Sequence, residues 1–217
     1  SLVNNPGADA GGHDTQSETA LVLGSSGVVV SSFNDSGSLG PYNHFTGISR
    51  STNSGSTWTD QGTLPTTTEG DAGDPVLARR AETGTILLST LGFATGTKVP
   101  VFRSTDNGAT YGASPADGAA GGGGGFHDKE WIACDNFPGG GNSLAGGNLY
   151  MFWRNFGSGG GMTFTRSTND GLTWTNRQQL DTGGQGAFPV VGADHAVYAF
   201  WLGLNATSTA RAIVFRK

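Results

Sequence analysis

The sequence holds a single cysteine, Cys134, so no intrachain disulfide can staple the fold. Its neighbours Trp131, Ile132 and Ala133 mark it as a small buried hydrophobe rather than a nucleophile. Charge is scarce too. Only 13% of residues are charged, and 17 acidic against 12 basic side chains leave a net charge of −5. That balance disfavours nucleic acid, whose phosphates call for a basic face. No basic run offers itself to an anionic membrane surface, and no apolar stretch is long enough to span a bilayer, so membrane insertion is not expected. Sustained helical periodicity is missing, which excludes a helical fold class. His13 beside Asp14 and His195 beside Asp194 lack partners at ligand spacing, so neither a metal nor a cofactor is expected. No signal-peptide pattern is visible, which is compatible with one already removed, and low charge with abundant Gly, Ser and Thr points to an extracellular or cell-surface protein. Asn34 and Asn205 stand in glycosylation acceptor patterns, which matter only in a eukaryotic secretory host.

What the chain has in plenty is glycine, 38 residues, together with short apolar runs and polar turns. That combination reads as many short strands joined tightly, an all-β protein. One stretch is written three times, at residues 51–58, 104–111 and 167–174, as Ser-Thr-(Asp/Asn)-x-Gly-x-Thr-(Trp/Tyr). The third-position Asn or Asp can hold a turn closed through its own backbone, and the glycine can take a positive φ. The hydroxyls can satisfy leftover backbone groups, and the aromatic residue can pack beneath the turn. The marker residues are Ser51, Asn53, Gly55 and Trp58; Ser104, Asp106, Gly108 and Tyr111; and Ser167, Asn169, Gly171 and Trp174. A calcium loop would need alternating acidic ligands and a closing Glu, which these stretches lack. Each copy follows an apolar run ending in arginine: Arg50, Arg103 and Arg166, with Arg216 closing a fourth run. Recurrence every 50 to 65 residues is the mark of a repeat architecture.

These turns resemble the Asp-box, or bacterial neuraminidase repeat, of sialidase-like β-propellers. The resemblance implies blades of four strands, with the turns joining the third and fourth strands far from any active site. On this reading residues 1–16 are an irregular N-terminal arm and residues 17–217 are blades one to four, the fourth incomplete. Expected strands are 18–23, 27–33, 46–50 and 58–64; then 74–78, 85–91, 99–103 and a weak one from Tyr111; then 130–134, 148–154, 162–166 and 174–180; and finally 188–191, 196–202 and 211–217. A propeller needs about 4 to 8 complete blades to close. The expectation is therefore a segment of a larger propeller, six-bladed in the sialidase type, completed by remaining blades or by a partner chain.

Residues that break the repeat are the candidates for chemistry; the four recurring arginines are expected to serve the blades. Antiparallel strand order puts the starts of the inner strands on the face opposite the turns. There lie Glu18, Asp74 and the run His127-Asp128-Lys129-Glu130, with Arg154 at a strand end and Tyr42 and His44 in a loop. Asp128 and Glu130, two apart, are read as a carboxylate pair for glycoside hydrolysis. Lys129, Asp74, Arg154, Tyr42 and His44 are read as ligand-binding, Trp131, Trp153 or Tyr42 as an apolar platform, and a glycan as the expected ligand. The alternative for the charged run is an ion-pair network that holds inner strands in register. Residues 121–125, all glycine, open no helix and read as a loop at the mouth. A sialidase would also need an arginine ahead of the first Asp-box, and none precedes Arg50. No sialidase catalytic residue is carried over. A non-catalytic binding or scaffold propeller is the second reading.

Overall fold

A computed structural model describes residues 1–7, 14–38, 44–93, 98–121, 125–138, 147–204 and 211–217. Fifteen strands make up four antiparallel sheets, with one 3-10 turn, Ser36–Ser38, among the described residues. Blade one is β1 (Gln16–Leu23), β2 (Val29–Asp35), β3 (Thr46–Ser51) and β4 (Thr59–Thr63). Blade two is β5 (Val76–Arg79), β6 (Ile86–Ser89), β7 (Pro100–Ser104) and β8 (Ala116–Asp117). Blade three is β9 (His127–Cys134), β10 (Leu149–Asn155), β11 (Gly161–Ser167) and β12 (Thr175–Asp181). Blade four has three strands, β13 (Gln185–Val191), β14 (Val197–Leu204) and β15 (Arg211–Arg216). Each sheet is a meander in chain order, and together they form a β-propeller of four blades. The fourth strand of blade two is shorter than expected and starts at Ala116, so Tyr111 lies ahead of it rather than in it.

The blades pack face to face through three apolar clusters, because alternate residues of a strand project to opposite sides. In β6, Ile86 and Leu88 join Val30 and Ile48 between blades one and two, while Leu87 joins Leu149, Met151 and Trp153 between blades two and three. Tyr150, Phe152, Ala199 and Trp201 fill the space between blades three and four. A strand covered on both faces must be apolar throughout, and β6 is fully buried along its length. The outer strands β4 and β12 are polar and largely exposed. The end faces are different. Leu21 and Leu23 of blade one are exposed, as are Phe188, Phe200, Leu202, Ile213 and Phe215 of blade four.

The three repeated turns share one hydrogen-bond scheme. Ser51, Ser104 and Ser167 Oγ accept from the amides of Gly55, Gly108 and Gly171 at 2.8–2.9 Å. Oδ1 of Asn53, Asp106 and Asn169 accepts from the amides of Thr57, Thr110 and Thr173 at 2.9 Å. Asp and Asn are interchangeable because the threonine hydroxyl reverses its role. It donates to Asp106 Oδ2 at 2.6 Å, and it accepts from Asn53 and Asn169 Nδ2 at 2.8 Å. The fourth and fifth residues both take positive φ: Ser54, Asn107 and Asp170 at 57–63°, then the glycines at 77–84°. The arginines staple neighbouring blades. Arg50 Nε donates to Asn107 O at 3.0 Å, and Arg103 Nε donates to Asp170 O at 2.6 Å. Arg50 and Arg103 thus serve the architecture, as their recurrence suggested.

Candidate functional site at the inner strand starts

On the face opposite these turns, the inner strands begin with irregular pairing. The ladder of β1 with β2 slips between Ser17 and Ala20, that of β9 with β10 opposite Phe152 to Arg154, and that of β13 with β14 between Gln185 and Phe188. Such bulges re-aim a side chain out of the sheet. One residue at each place is left-handed: Glu18 (φ 49°), Lys129 (φ 52°) and Gly186 (φ 66°), with Asp74 (φ 53°) just ahead of β5. A side chain held there costs about 1–2 kcal/mol relative to glycine. Blade four uses glycine at this place; blades one to three carry Glu, Asp and Lys.

Those three side chains meet. Lys129 Nζ donates to Glu18 Oε2, and Glu18 and Asp74 are hydrogen-bonded to each other. The bond to Asp74 holds Glu18 below the usual carboxylate range against the opposing effect of burial, with Lys129 adding to it. Burial, the Glu18 carboxylate and the charge of Asp128 push Asp74 up to about 7, although Lys129 opposes the shift. Asp74 is therefore the proton donor and Glu18 the acceptor. Burial works against the Lys129 charge, but Glu18 and the negative field of Asp74 and Glu130 raise its pKa all the same. Asn34 fixes the loop beneath by accepting from the Asp74 amide at 2.7 Å; Asn34 itself is buried, closing it to glycosylation in the folded chain. The other acceptor, Asn205, lies outside the described residues.

Asp128 and Glu130 do not form the expected pair. The left-handed Lys129 between them breaks the strand alternation, so the two diverge. Asp128 Oδ2 accepts from Gln185 Nε2 of blade four at 2.7 Å. Glu130 is fully buried. Burial drives its pKa well up, with Asp74 reinforcing the shift, and the Ser89 hydroxyl approaches it without a bond of good geometry. Arg154 stands opposite Asp128 in the ladder, donates to Thr182 O at 3.4 Å, and lies 4.7 Å over the Phe156 ring. His44 is buried, its ring engaged by Asp71 on one side and by Thr66 at 3.1 Å on the other, so it closes the seam between blade one and the following connection. Burial raises Asp71 to about 6 despite the bond to His44. Tyr42 lies outside the described residues.

Of the expected tryptophan platforms, Trp153 is inside the molecule and Trp131 is half-buried. Trp153 is fully buried and donates to His127 Nδ1 at 3.2 Å, and Trp131 packs edge-on against Phe188. Sequence reasoning missed an exposed aromatic strip instead. Phe93, Phe126 and Phe156 follow one another at 5.2 and 5.8 Å, beside Arg154. They come from the loop after β6, the connection into β9 and the loop after β10, all on this face. Also missed were the role of Glu18 and the part of Gln185. The ladder registers put Glu18, Asp74, Lys129 and Gly186 in one column, whereas the sequence matches Phe188-Pro189-Val190 to Asp74-Pro75-Val76.

No family model and no curated protein matches the sequence. Solved structures do match in fold. The Penicillium chrysogenum α-L-arabinanase complexed with arabinobiose superposes with a TM-score of 0.68 at 14% identity, over 98% of this chain and 64% of that one. The GH93 α-L-arabinofuranosidase of Fusarium graminearum gives 0.64 at 14%, over 93% and 62%. A protein of unknown function from Dyadobacter fermentans gives 0.64 at 14%, over 96% and 66%. The Hadza microbial sialidase Hz136 gives 0.54 at 14%, over 93% and 44%. The chain thus spans slightly under two-thirds of the length of the first three. At this identity the likeness is one of fold: a propeller architecture shared with carbohydrate-active enzymes.

Proposed function

We propose that this is a secreted, carbohydrate-processing propeller of the Asp-box type, with its site at the inner strand starts. The observation that carries the reading is the column Glu18, Asp74, Lys129. Three charged side chains are held in a backbone conformation that glycine would adopt without cost, and they meet, Lys129 donating to Glu18 and Glu18 bonded to Asp74. Strain of this kind concentrates at functional sites.

The chemistry that fits is glycoside hydrolysis. Asp74, protonated near neutrality, is placed to give its proton to the leaving oxygen as the anomeric C–O bond breaks. The Asp128 carboxylate takes the proton from the water whose oxygen bonds to the anomeric carbon. The bond to Asp74 and, after it, Lys129 hold Glu18 below the usual carboxylate range. Phe93, Phe126 and Phe156 offer apolar faces to the C–H side of sugar rings. Arg154 is engaged by a carbonyl and an aromatic ring, which favours a neutral glycan over one read through its carboxylate. A binding propeller without turnover is the second reading, favoured by the closed Lys129–Glu18 ion pair.

The test is a hydrolysis and binding screen on neutral plant glycans, arabinans included, and on sialosides. Wild type is compared with Asp74→Asn, Glu18→Gln and Asp128→Asn. Turnover abolished by Asp74→Asn with binding retained supports the enzyme. Binding that every variant retains, with no turnover in wild type, supports the second reading. A wild-type protein that neither binds nor cleaves any member overturns both.

A further inference from the structure

The connection from β4 to β5 carries a second group of reactive side chains, apart from the column at the inner strand starts. It is pinned at three points. Leu64 is buried between blades one and two, Glu69 is buried and paired with Lys98 at 2.6 Å, and Asp71 is fully buried. Between the last two, Gly70 (φ 71°) turns the chain. The Asp71 carboxylate fixes one ring. Its Oδ1 accepts from the amides of Phe45 at 3.2 Å and Thr46 at 3.0 Å, and its Oδ2 takes Nδ1 of His44. A carboxylate that holds Nδ1–H leaves Nε2 as the acceptor. Nε2 lies 3.1 Å from Thr66 Oγ1. His44 is buried, whereas Thr66 is exposed and lines a cavity of about 410 Å³. A hydroxyl, an imidazole and a buried carboxylate in line, each within hydrogen-bond reach of the next, is the arrangement that activates a nucleophile. A second observation points into the same cavity: Thr67 Oγ1, also on its wall, is buried and has no hydrogen-bond partner.

We propose that Thr66, His44 and Asp71 form a nucleophilic triad that hydrolyses esters of short acyl groups in this cavity. Thr66 Oγ1 bonds to the acyl carbon as its proton passes to His44 Nε2. The carbonyl electron pair moves onto oxygen, and the Thr67 hydroxyl is the donor at hand for that charge. The bond to the alcohol oxygen then breaks, and Nε2 gives the proton to it. Water repeats the sequence on the Thr66 ester and releases the carboxylic acid. Asp71 is a positioning residue, holding the His44 ring and its tautomer. A short acyl group suits the cavity, whose walls combine the threonine hydroxyls with the small apolar surfaces of Pro100, Ala113, Pro115 and Ala116. The inference does not depend on the proposed activity toward glycans.

The experiment follows hydrolysis of p-nitrophenyl acetate together with labelling by a fluorophosphonate, which loses fluoride as its phosphorus bonds to an activated hydroxyl. Wild type should turn over the ester and carry the label on the peptide that holds Thr66, read by mass spectrometry. Thr66→Val keeps the shape of an exposed side chain and removes the hydroxyl. It should lower kcat/KM on the order of 100-fold and abolish the label at unchanged melting temperature, and Thr66→Ser should restore both. Asp71→Asn, which favours the wrong tautomer, should lower kcat with KM near its wild-type value. Hydrolysis that Thr66→Val retains, or a label absent from that peptide in wild type, overturns the proposal whatever the Asp71 variant does.

Discussion

At the residue scale, carboxyl groups sort by environment. Asp106 is largely exposed, and although burial opposes the shift, hydrogen bonds from Thr110, Ser104 and Ala109 hold it at about 2. Its folded value lies below the unfolded one, so its stabilisation is present above about pH 4 and is lost as pH falls towards 2. Asp106→Ala should cost about 1 kcal/mol at neutral pH by denaturant titration, as loss of a side-chain cap does, and leave glycan binding unchanged. Glu130 behaves oppositely. Its folded pKa is raised by burial, so its contribution is present in acid and is lost as pH rises through the folded value. Asp74 adds the same sign between about 4 and 7. Stability should therefore fall from pH 5 to pH 8, and Glu130→Gln, which keeps shape without a charge to desolvate, should flatten that slope. Sequence made Asp106 legible because a turn is local. It misread Glu130, because alternation along a strand assumes a regular pleat and the left-handed Lys129 breaks it.

At the element scale, the turns are clasps between blades as well as hairpins. Asp170 receives Arg103 Nη2 at 2.7 Å, Thr83 Oγ1 at 2.9 Å and Thr85 Oγ1 at 2.5 Å, all from blade two. Burial opposes its ionisation, but these donors hold its pKa down. Arg103→Met leaves the Asp170 carboxylate and carbonyl short of donors and should cost about 2 kcal/mol. Arg166→Met in the same 217-residue chain should cost far less, because that Nε has no acceptor to lose. Thermal melts of the two variants side by side check the asymmetry. The repeat made this much readable in advance: arginines recurring in one column were expected to serve the blades, as Arg50 and Arg103 do. Which neighbour each would reach was not readable, since a contact between blades joins residues about 67 positions apart. The short β8 was also hidden, because the residues after Tyr111 hold no alternating pattern.

At the scale of the whole molecule, a propeller turns a repeat into a ring of equivalent positions, and function arises where equivalence is broken. The sequence showed the break at residues 127–130 because three charges stood together. It did not show Glu18 joining Lys129 across 111 positions, nor the strip of Phe93, Phe126 and Phe156, since both need blades side by side. If the column is catalytic, its acid limb belongs to Asp74. Turnover should fall as pH rises past about 7, the value at which Asp74 loses its proton. Lys129→Met should move that limb, because Lys129 lowers the Asp74 pKa and its loss raises it. The profile of kcat/KM against pH would then extend to more alkaline pH. An Asp74 serving only as a strut would leave the limb where it was. Measuring both profiles on one cleaved glycan, with melting temperatures recorded at each pH, separates a shifted proton from a loosened fold.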